Sequence, residues 1–485
     1  MEENSHPELL TTGIPGFDKI VRGGLTAGRM YLLSGSPGTG KTTFSLQFIA
    51  EGIKMGERCL YIAVAGAGED LCALAKAAGI FLDPELLTLH TVQINADILE
   101  GPEQRIFHSS EAELPAAMKD LLAEVKRVKP TRMVIDSLSD LRLLAEEQVS
   151  YRRLVLAMRR EFGTGESTVL ITNNTDEPDP HLETICHGVI RLEQAVPEYG
   201  PVRRRLLVLK LRGRAYRSGW HDFKIVREGL RVFPTLVVGE ARQQRQRELV
   251  SSGHQRLDLF LGGGVNRGST TAIIGASGTG KTTLANQFVV AAAQRGEHVA
   301  VYLFNETELS YRERAKGLGL AVDDFIDQGL IALREIKVAD FSTGEFSTML
   351  LREVEEKEAS TIVIDTLSGY ANAMPDQKYL FIQIHQLLSY LSNKEVTTLL
   401  TVEQPAVFGT QAEAKNVSYL ADSVIHLRLF EDRGEIRRAI AIVKKRRGPH
   451  ETTRRELTLS SEGILLGDPL LERQTVTTGV SSLDL

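Results

Sequence analysis

Cysteine is scarce in this chain of 485 residues. There are three, Cys59, Cys72 and Cys186, far apart and without a C-x-x-C pair. That excludes a disulfide scaffold, argues against a structural zinc site, and points to a reduced, cytoplasmic protein. Long apolar runs are also missing. None approaches the roughly 18 residues that a membrane-spanning helix needs, so no membrane span is expected. The opening "MEENSHPELL" has neither a basic start nor an apolar centre, so a secretory leader is not expected. Nor is positive charge in excess. A net charge of −6 argues against a nucleic-acid binder that relies on bulk charge, although local basic patches remain.

What the chain has in abundance is repetition. "GSPGTGKTT" begins at Gly35 and "GASGTGKTT" at Gly275, 240 residues later (275 − 35). The flanks repeat as well. "TTGIPGFDKIVRGGLTAGRMYLLS" from Thr11 aligns with "SSGHQRLDLFLGGGVNRGSTTAIIG" from Ser251. Each half reads as a turn-rich lead-in, a Gly-Gly turn, an apolar strand, the glycine loop and an amphipathic helix. Further strands follow in matched pairs: "RCLYIAV" and "HVAVYLF", "TRMVID" and "STIVID", "STVLITNN" and "VTTLLTVEQ". Apolar β-branched strands separated by helices predict an α/β fold, two tandem domains each built on a mostly parallel, doubly wound sheet. The expected boundaries are 9–238 for the first domain, 239–249 for a polar linker, 250–468 for the second domain and 469–485 for a tail. The tail's "TTGVSSLDL" repeats the pattern of "TTGIPGFDK". It reads as the opening of a repeat that does not continue, or as a chance match at a frayed terminus.

G-x-x-x-x-G-K-[ST] is a phosphate-binding loop, in which glycines let successive backbone N–H groups point inward onto an anion. The first loop offers Gly35, Ser36, Pro37, Gly38, Thr39, Gly40, Lys41, Thr42 and Thr43. The second offers Gly275, Ala276, Ser277, Gly278, Thr279, Gly280, Lys281, Thr282 and Thr283. Lys41 and Lys281 would reach the β- and γ-phosphates of ATP, and Thr42 and Thr282 would ligate Mg²⁺. A second anchor for the metal is expected from an Asp closing a neighbouring apolar strand, and Asp136 and Asp365 fit. Hydrolysis also needs a carboxylate to orient or deprotonate water. Glu306, at the tip of the strand after the second loop's helix, is the candidate. Aligned at Gly79 and Gly319, the first half carries Gly66 there and lacks the carboxylate. Lys210 with Arg212, and Lys444 with Arg446, lie two apart on extended segments and so share a face. Such pairs suit charge neutralisation on a γ-phosphate, or a solvated strand edge. His221 and His450 follow these pairs and suggest a shared structural role.

Together these stretches resemble the KaiC family of RecA-like P-loop ATPases over almost the whole chain. The resemblance implies two RecA-like domains and a homo-oligomer, commonly a two-tiered hexameric ring. It further implies nucleotide between subunits, completed by the neighbour's K-x-R pair, and a slow ATPase with a timing or signalling role. Family members also autophosphorylate on adjacent Ser and Thr of the second domain and work with KaiA- and KaiB-type partners. Those acceptors fall on Ser418 and Tyr419, so the resemblance leaves Ser418 as the single phosphoacceptor, while a cap or strand-edge serine is the residue-level alternative. The composite pattern looks closest to KaiC-like proteins outside the cyanobacterial oscillator. Two other readings stand beside this one: a DNA-directed RecA-like recombinase or repair ATPase, and a nucleotide-clamped scaffold with little catalysis. Clusters such as Arg203-Arg204-Arg205 favour the first of these. The acidic balance, and the absence of an added zinc, helix–hairpin–helix or OB module, oppose it.

Overall fold

A computed structural model describes residues 8–64, 68–92, 110–143, 148–162, 165–175, 178–196, 201–236, 248–337, 341–373, 377–403, 419–461 and 463–470. The chain divides into two compact units, Met1–Thr235 and Leu236–Leu485. Each contains one nine-stranded sheet, and the strand order is the same in both.

In the first unit the order runs Leu87–Val92, Cys59–Val64, Arg132–Asp136, Thr168–Asn173, Met30–Ser34, Gly188–Ala195, Arg203–Leu211, Trp220–Val226, Gly229–Phe233. The first six strands are parallel and the last three are added antiparallel. The second unit repeats this with Ile331–Glu335, Val299–Leu303, Thr361–Asp365, Thr397–Glu403, Thr270–Gly275, Ser423–Asp432, Glu435–Lys445, Arg455–Ser460 and Gly463–Pro469. The glycine-loop strand is central in each sheet. Met30–Ser34 and Thr270–Gly275 are buried at every residue, as a strand covered on both faces must be.

Each sheet carries a core on both faces. In the first unit, Phe44, Phe48, Ile49 and Ile53 of the helix Lys41–Lys54 pack on one face with Tyr31 and Leu33. Leu154, Val155 and Met158 of the helix Gln148–Phe162 cover the other, against Leu32 and Met30. In the second unit, Leu284, Phe288 and Val289 of Lys281–Gln294 and Leu387, Leu388 and Leu391 of Gln377–Asn393 play the same parts. These are doubly wound α/β sheets, as the matched strand runs predict.

Leu249 and Val250 pair antiparallel with Asn266 and Val265, at the junction of the stretch read as linker and the second domain. Leu9 and Leu10 pair in the same way with Thr26 and Leu25. The tail motif at 477–485 lies outside the described residues. Among the described residues no helix is long and apolar enough to cross a membrane.

Candidate nucleotide-binding sites

Both glycine loops leave the C-terminal edge of the central strand and run into a helix, Lys41–Lys54 and Lys281–Gln294. The backbone dictates the glycines. Gly40 and Gly280 hold φ of 106° and 97°, a left-handed conformation that L side chains rarely adopt. A Cβ on Gly35 would lie 2.4 Å from the Leu192 carbonyl oxygen, and one on Gly275 would lie 2.6 Å from that of Leu427. Neither helix has a side-chain cap, so its first N–H groups stay available to an anion. Thr39 and Thr279 close the loops by donating to the carbonyls of Ser36 and Ala276, each at 2.8 Å. The lysines fold back over them. Lys41 Nζ donates to the Gly35 and Ser36 carbonyls at 2.8 Å, and Lys281 Nζ to Ala276 at 2.8 Å. Burial pushes the Lys281 ammonium below the ordinary lysine range, opposed by the charges of Glu403 and Asp365.

The predicted aspartates meet the predicted threonines. Thr42 Oγ1 donates to Asp136 Oδ2 at 3.2 Å, and Thr282 Oγ1 to Asp365 Oδ2 at 2.7 Å. The other carboxylate oxygen is held from the adjacent strand, by Thr172 at 2.6 Å in the first unit and by Thr401 in the second. These threonines escaped the sequence reading, although a lone hydroxyl near the end of an apolar strand was the available signal. The first unit adds Tyr61, whose phenol donates to Asp136 Oδ2 at 2.5 Å. Burial and the Asp136 charge keep that phenol protonated. Among the described residues no group of three His, Cys, Asp or Glu could hold a metal ion. One carboxylate beside one hydroxyl and a phosphate loop is instead the donor set that suits Mg²⁺, which retains waters and takes phosphate oxygens.

Register fixes how the two sites correspond. Ala63 lies opposite Asp136 and Leu303 opposite Asp365, so the 240-residue offset of the loops (303 − 63) also holds on this strand. Three residues beyond Leu303 stands Glu306, and three beyond Ala63 is Gly66, which lies outside the described residues. Glu306 is tied to its own helix. Its Oε1 accepts from Arg314 Nη1 at 2.6 Å and from Ser310 Oγ at 3.1 Å, both on the helix Glu308–Gly317. A second carboxylate, Glu403, closes the strand beside the loop: it lies opposite Gly275 in the register. Sequence reading missed it because a strand's last residue reads equally well as the start of a turn.

The K-x-R pairs do project to one side, and each grips the carbonyl end of a helical turn. Lys210 donates to the Glu183 carbonyl, and Arg212 to that of Thr184 at 2.6 Å. Lys444 donates to Ala421 at 2.8 Å, and Arg446 to the Tyr419 carbonyl at 3.1 Å. Val189 opposite Lys210 and Val424 opposite Lys444 confirm that the pairs correspond. The two histidines do not. His221 lies opposite Leu206, and the residue in that place in the second unit is Arg455, opposite Ile440. His221 is structural: its Nδ1 accepts from the Thr235 N–H at 2.9 Å, and Nε2 faces the Arg217 carbonyl at 3.1 Å. Ser418 lies outside the described residues, while its neighbour Tyr419 is exposed.

Comparison with known proteins agrees with this duplicated geometry. The KaiC ATPase family profile matches twice, over residues 10–237 and 250–470. The chain belongs to the KaiC ATPase family. Its relatives there include the circadian clock oscillator protein KaiC of Parathermosynechococcus lividus, 28% identical over 96% of this chain and 87% of that protein. The circadian clock protein KaiC3 of Synechocystis sp. is 27% identical over 96% of this chain and 93% of its own. KaiC of Synechococcus elongatus is 28% identical, with 97% and 91% covered. Family membership makes this a P-loop ATPase that binds nucleotide.

Proposed function

We propose that this KaiC-family ATPase divides its labour, the first domain holding ATP to assemble the protein and the second hydrolysing it. The observation that carries the nucleotide sites is the paired loop, threonine and aspartate, Thr42 with Asp136 and Thr282 with Asp365. In each site the loop N–H groups and the lysine would bind the phosphates, and the threonine and aspartate would hold Mg²⁺. When bound, the ion offsets negative charge on the β- and γ-phosphates. In the second site Glu306 accepts the proton of the attacking water. With Gly66 at the corresponding place, the first site lacks that base.

The protein assembles in this reading as a hexameric two-tiered ring in the cytoplasm. Lys210 and Arg212, or Lys444 and Arg446, complete a neighbour's site, because each pair sets two cations on one face of a strand. Ser418 is the phosphoacceptor of a serine autokinase activity, and Tyr419 is too long to serve as a second one in the same geometry. A KaiB-like signalling protein is the expected partner. The test is incubation with γ-³²P-ATP and Mg²⁺, following released phosphate and protein-bound label together. Label lost in Ser418→Ala supports the autokinase, and phosphate release lost in Glu306→Gln supports the ATPase assignment. Neither signal in the parent protein would reduce it to a nucleotide-clamped scaffold.

A further inference from the structure

The helix that follows the Glu306 strand carries a set of polar residues that the first domain does not have. The helices Glu308–Gly317 and Gly68–Ala77 correspond residue for residue at the 240-residue offset. Ser310, Tyr311 and Arg314 therefore correspond to Asp70, Leu71 and Leu74, and Asn286 on the loop helix corresponds to Leu46. Tyr311 is fully buried, and its hydroxyl donates to Asn286 Oδ1 at 2.5 Å. The Arg314 guanidinium lies 5.6 Å from the centre of the Tyr311 ring and donates to Glu306 Oε1 at 2.6 Å. Arg314 Nε and Nη2 are buried with no hydrogen-bond partner. The first domain has no carboxylate at this place and carries an exposed leucine, Leu74, where Arg314 stands. The guanidinium thus occurs together with the carboxylate it grips.

Its mode of grip matters. Arg314 and Ser310 take the same oxygen, Oε1, and both approach from the helix. A one-oxygen contact that leaves two buried N–H groups unpaired is weaker than a bidentate one and exchanges more readily. To receive a proton from water on Oε1, Glu306 must let go of Arg314 and Ser310. We propose that Arg314 is a positioning residue that parks Glu306 against its helix, so that turnover in the second domain is limited by release of this ion pair. The proposal rests on the assignment of Glu306 as the water-activating carboxylate. Glu306 releases Arg314, takes the proton as the water oxygen bonds to the γ-phosphorus and the bond to the ADP oxygen breaks, and returns it to solvent with phosphate.

The test is steady-state phosphate release by the full chain. Arg314→Leu, the residue of the first domain, should raise kcat about fivefold with KM little changed, the release of one partly exposed ion pair. Arg314→Lys, which keeps the charge but not the planar fork, should fall between the parent and Arg314→Leu. In the Glu306→Gln background, Arg314→Leu should have no further effect, since the two residues then share no function. Glu306→Gln turning over like the parent would overturn both the base assignment and the latch. Glu306→Gln inactive, with Arg314→Leu no faster than the parent, would overturn the latch alone. A kcat that falls in Arg314→Leu would also overturn it, making Arg314 a support rather than a restraint.

Discussion

The two domains are close copies in backbone and unlike copies in chemistry. Strand order, loop, loop helix and the threonine-held aspartate repeat between them. What differs is the ring of residues around that frame. In the first domain Tyr61 adds a donor to Asp136 where the second has the apolar Val301, and Asn174 stands where the second has Glu403. In the second domain Glu306, Ser310, Tyr311 and Arg314 replace Gly66, Asp70, Leu71 and Leu74. Duplication preserved what binds phosphate, because loop geometry tolerates little change: a Cβ on Gly35 or Gly275 meets backbone. The groups that differ are single side chains on a strand tip and a helix face, and such positions drift without disturbing the sheet.

The largest expected effect breaks the symmetry of the aspartates. Asp365→Asn should lower phosphate release about 10²–10³-fold, because the charge that holds Thr282 and is proposed to hold the metal is lost. Asp136→Asn should change turnover far less and instead weaken nucleotide retention, measured on the isolated protein.

A second contrast lies at the opposite end of the sheet. Arg132 is 1% exposed and is held by Glu57 at 2.6 Å and by the Thr11 and Phe48 carbonyls. Its counterpart, Thr361, carries no charge. Glu57→Ala leaves the guanidinium buried without its counter-charge. It should therefore destabilise the first domain by about 2 kcal/mol. Denaturant unfolding resolved into two transitions would show the loss in one only.

The smallest effect concerns acid. Burial first, then the neighbouring Arg428 and Arg454, push the His426 imidazole down to about 4 from 6.5. The unfolded chain takes up a proton that the folded one refuses. This contribution is intact above pH 6.5 and is lost as pH falls toward 4. Arg191 occupies the corresponding place in the first domain. His426→Leu should flatten part of the fall in melting temperature between pH 6.5 and 4.

Much of this was legible in the sequence because it is local. The glycine loops, the strands on either side and the Asp at a strand end are each fixed by a few consecutive residues. The repeat then doubled every signal. Side-chain direction was not legible. That Glu306 turns back along its own helix to Arg314, that Thr172 and Thr401 reach the aspartates, and that Arg132 is buried against Glu57 all depend on neighbours 8 to 75 residues away. The pairing of His221 with His450 failed for a related reason. Spacing after the K-x-R strand differs between the halves, and only strand register shows Arg455 in that place.

The most direct measurement is a nucleotide count on Glu306→Gln. The protein is incubated with ATP and Mg²⁺, separated from free nucleotide, denatured, and its ATP and ADP are quantified per chain. Close to two nucleotides per chain, nearly all ATP, is the expected result, one for each glycine loop with neither site able to hydrolyse. About one ADP per chain would show that the first domain hydrolyses without a carboxylate at Gly66, and would contradict the division of labour.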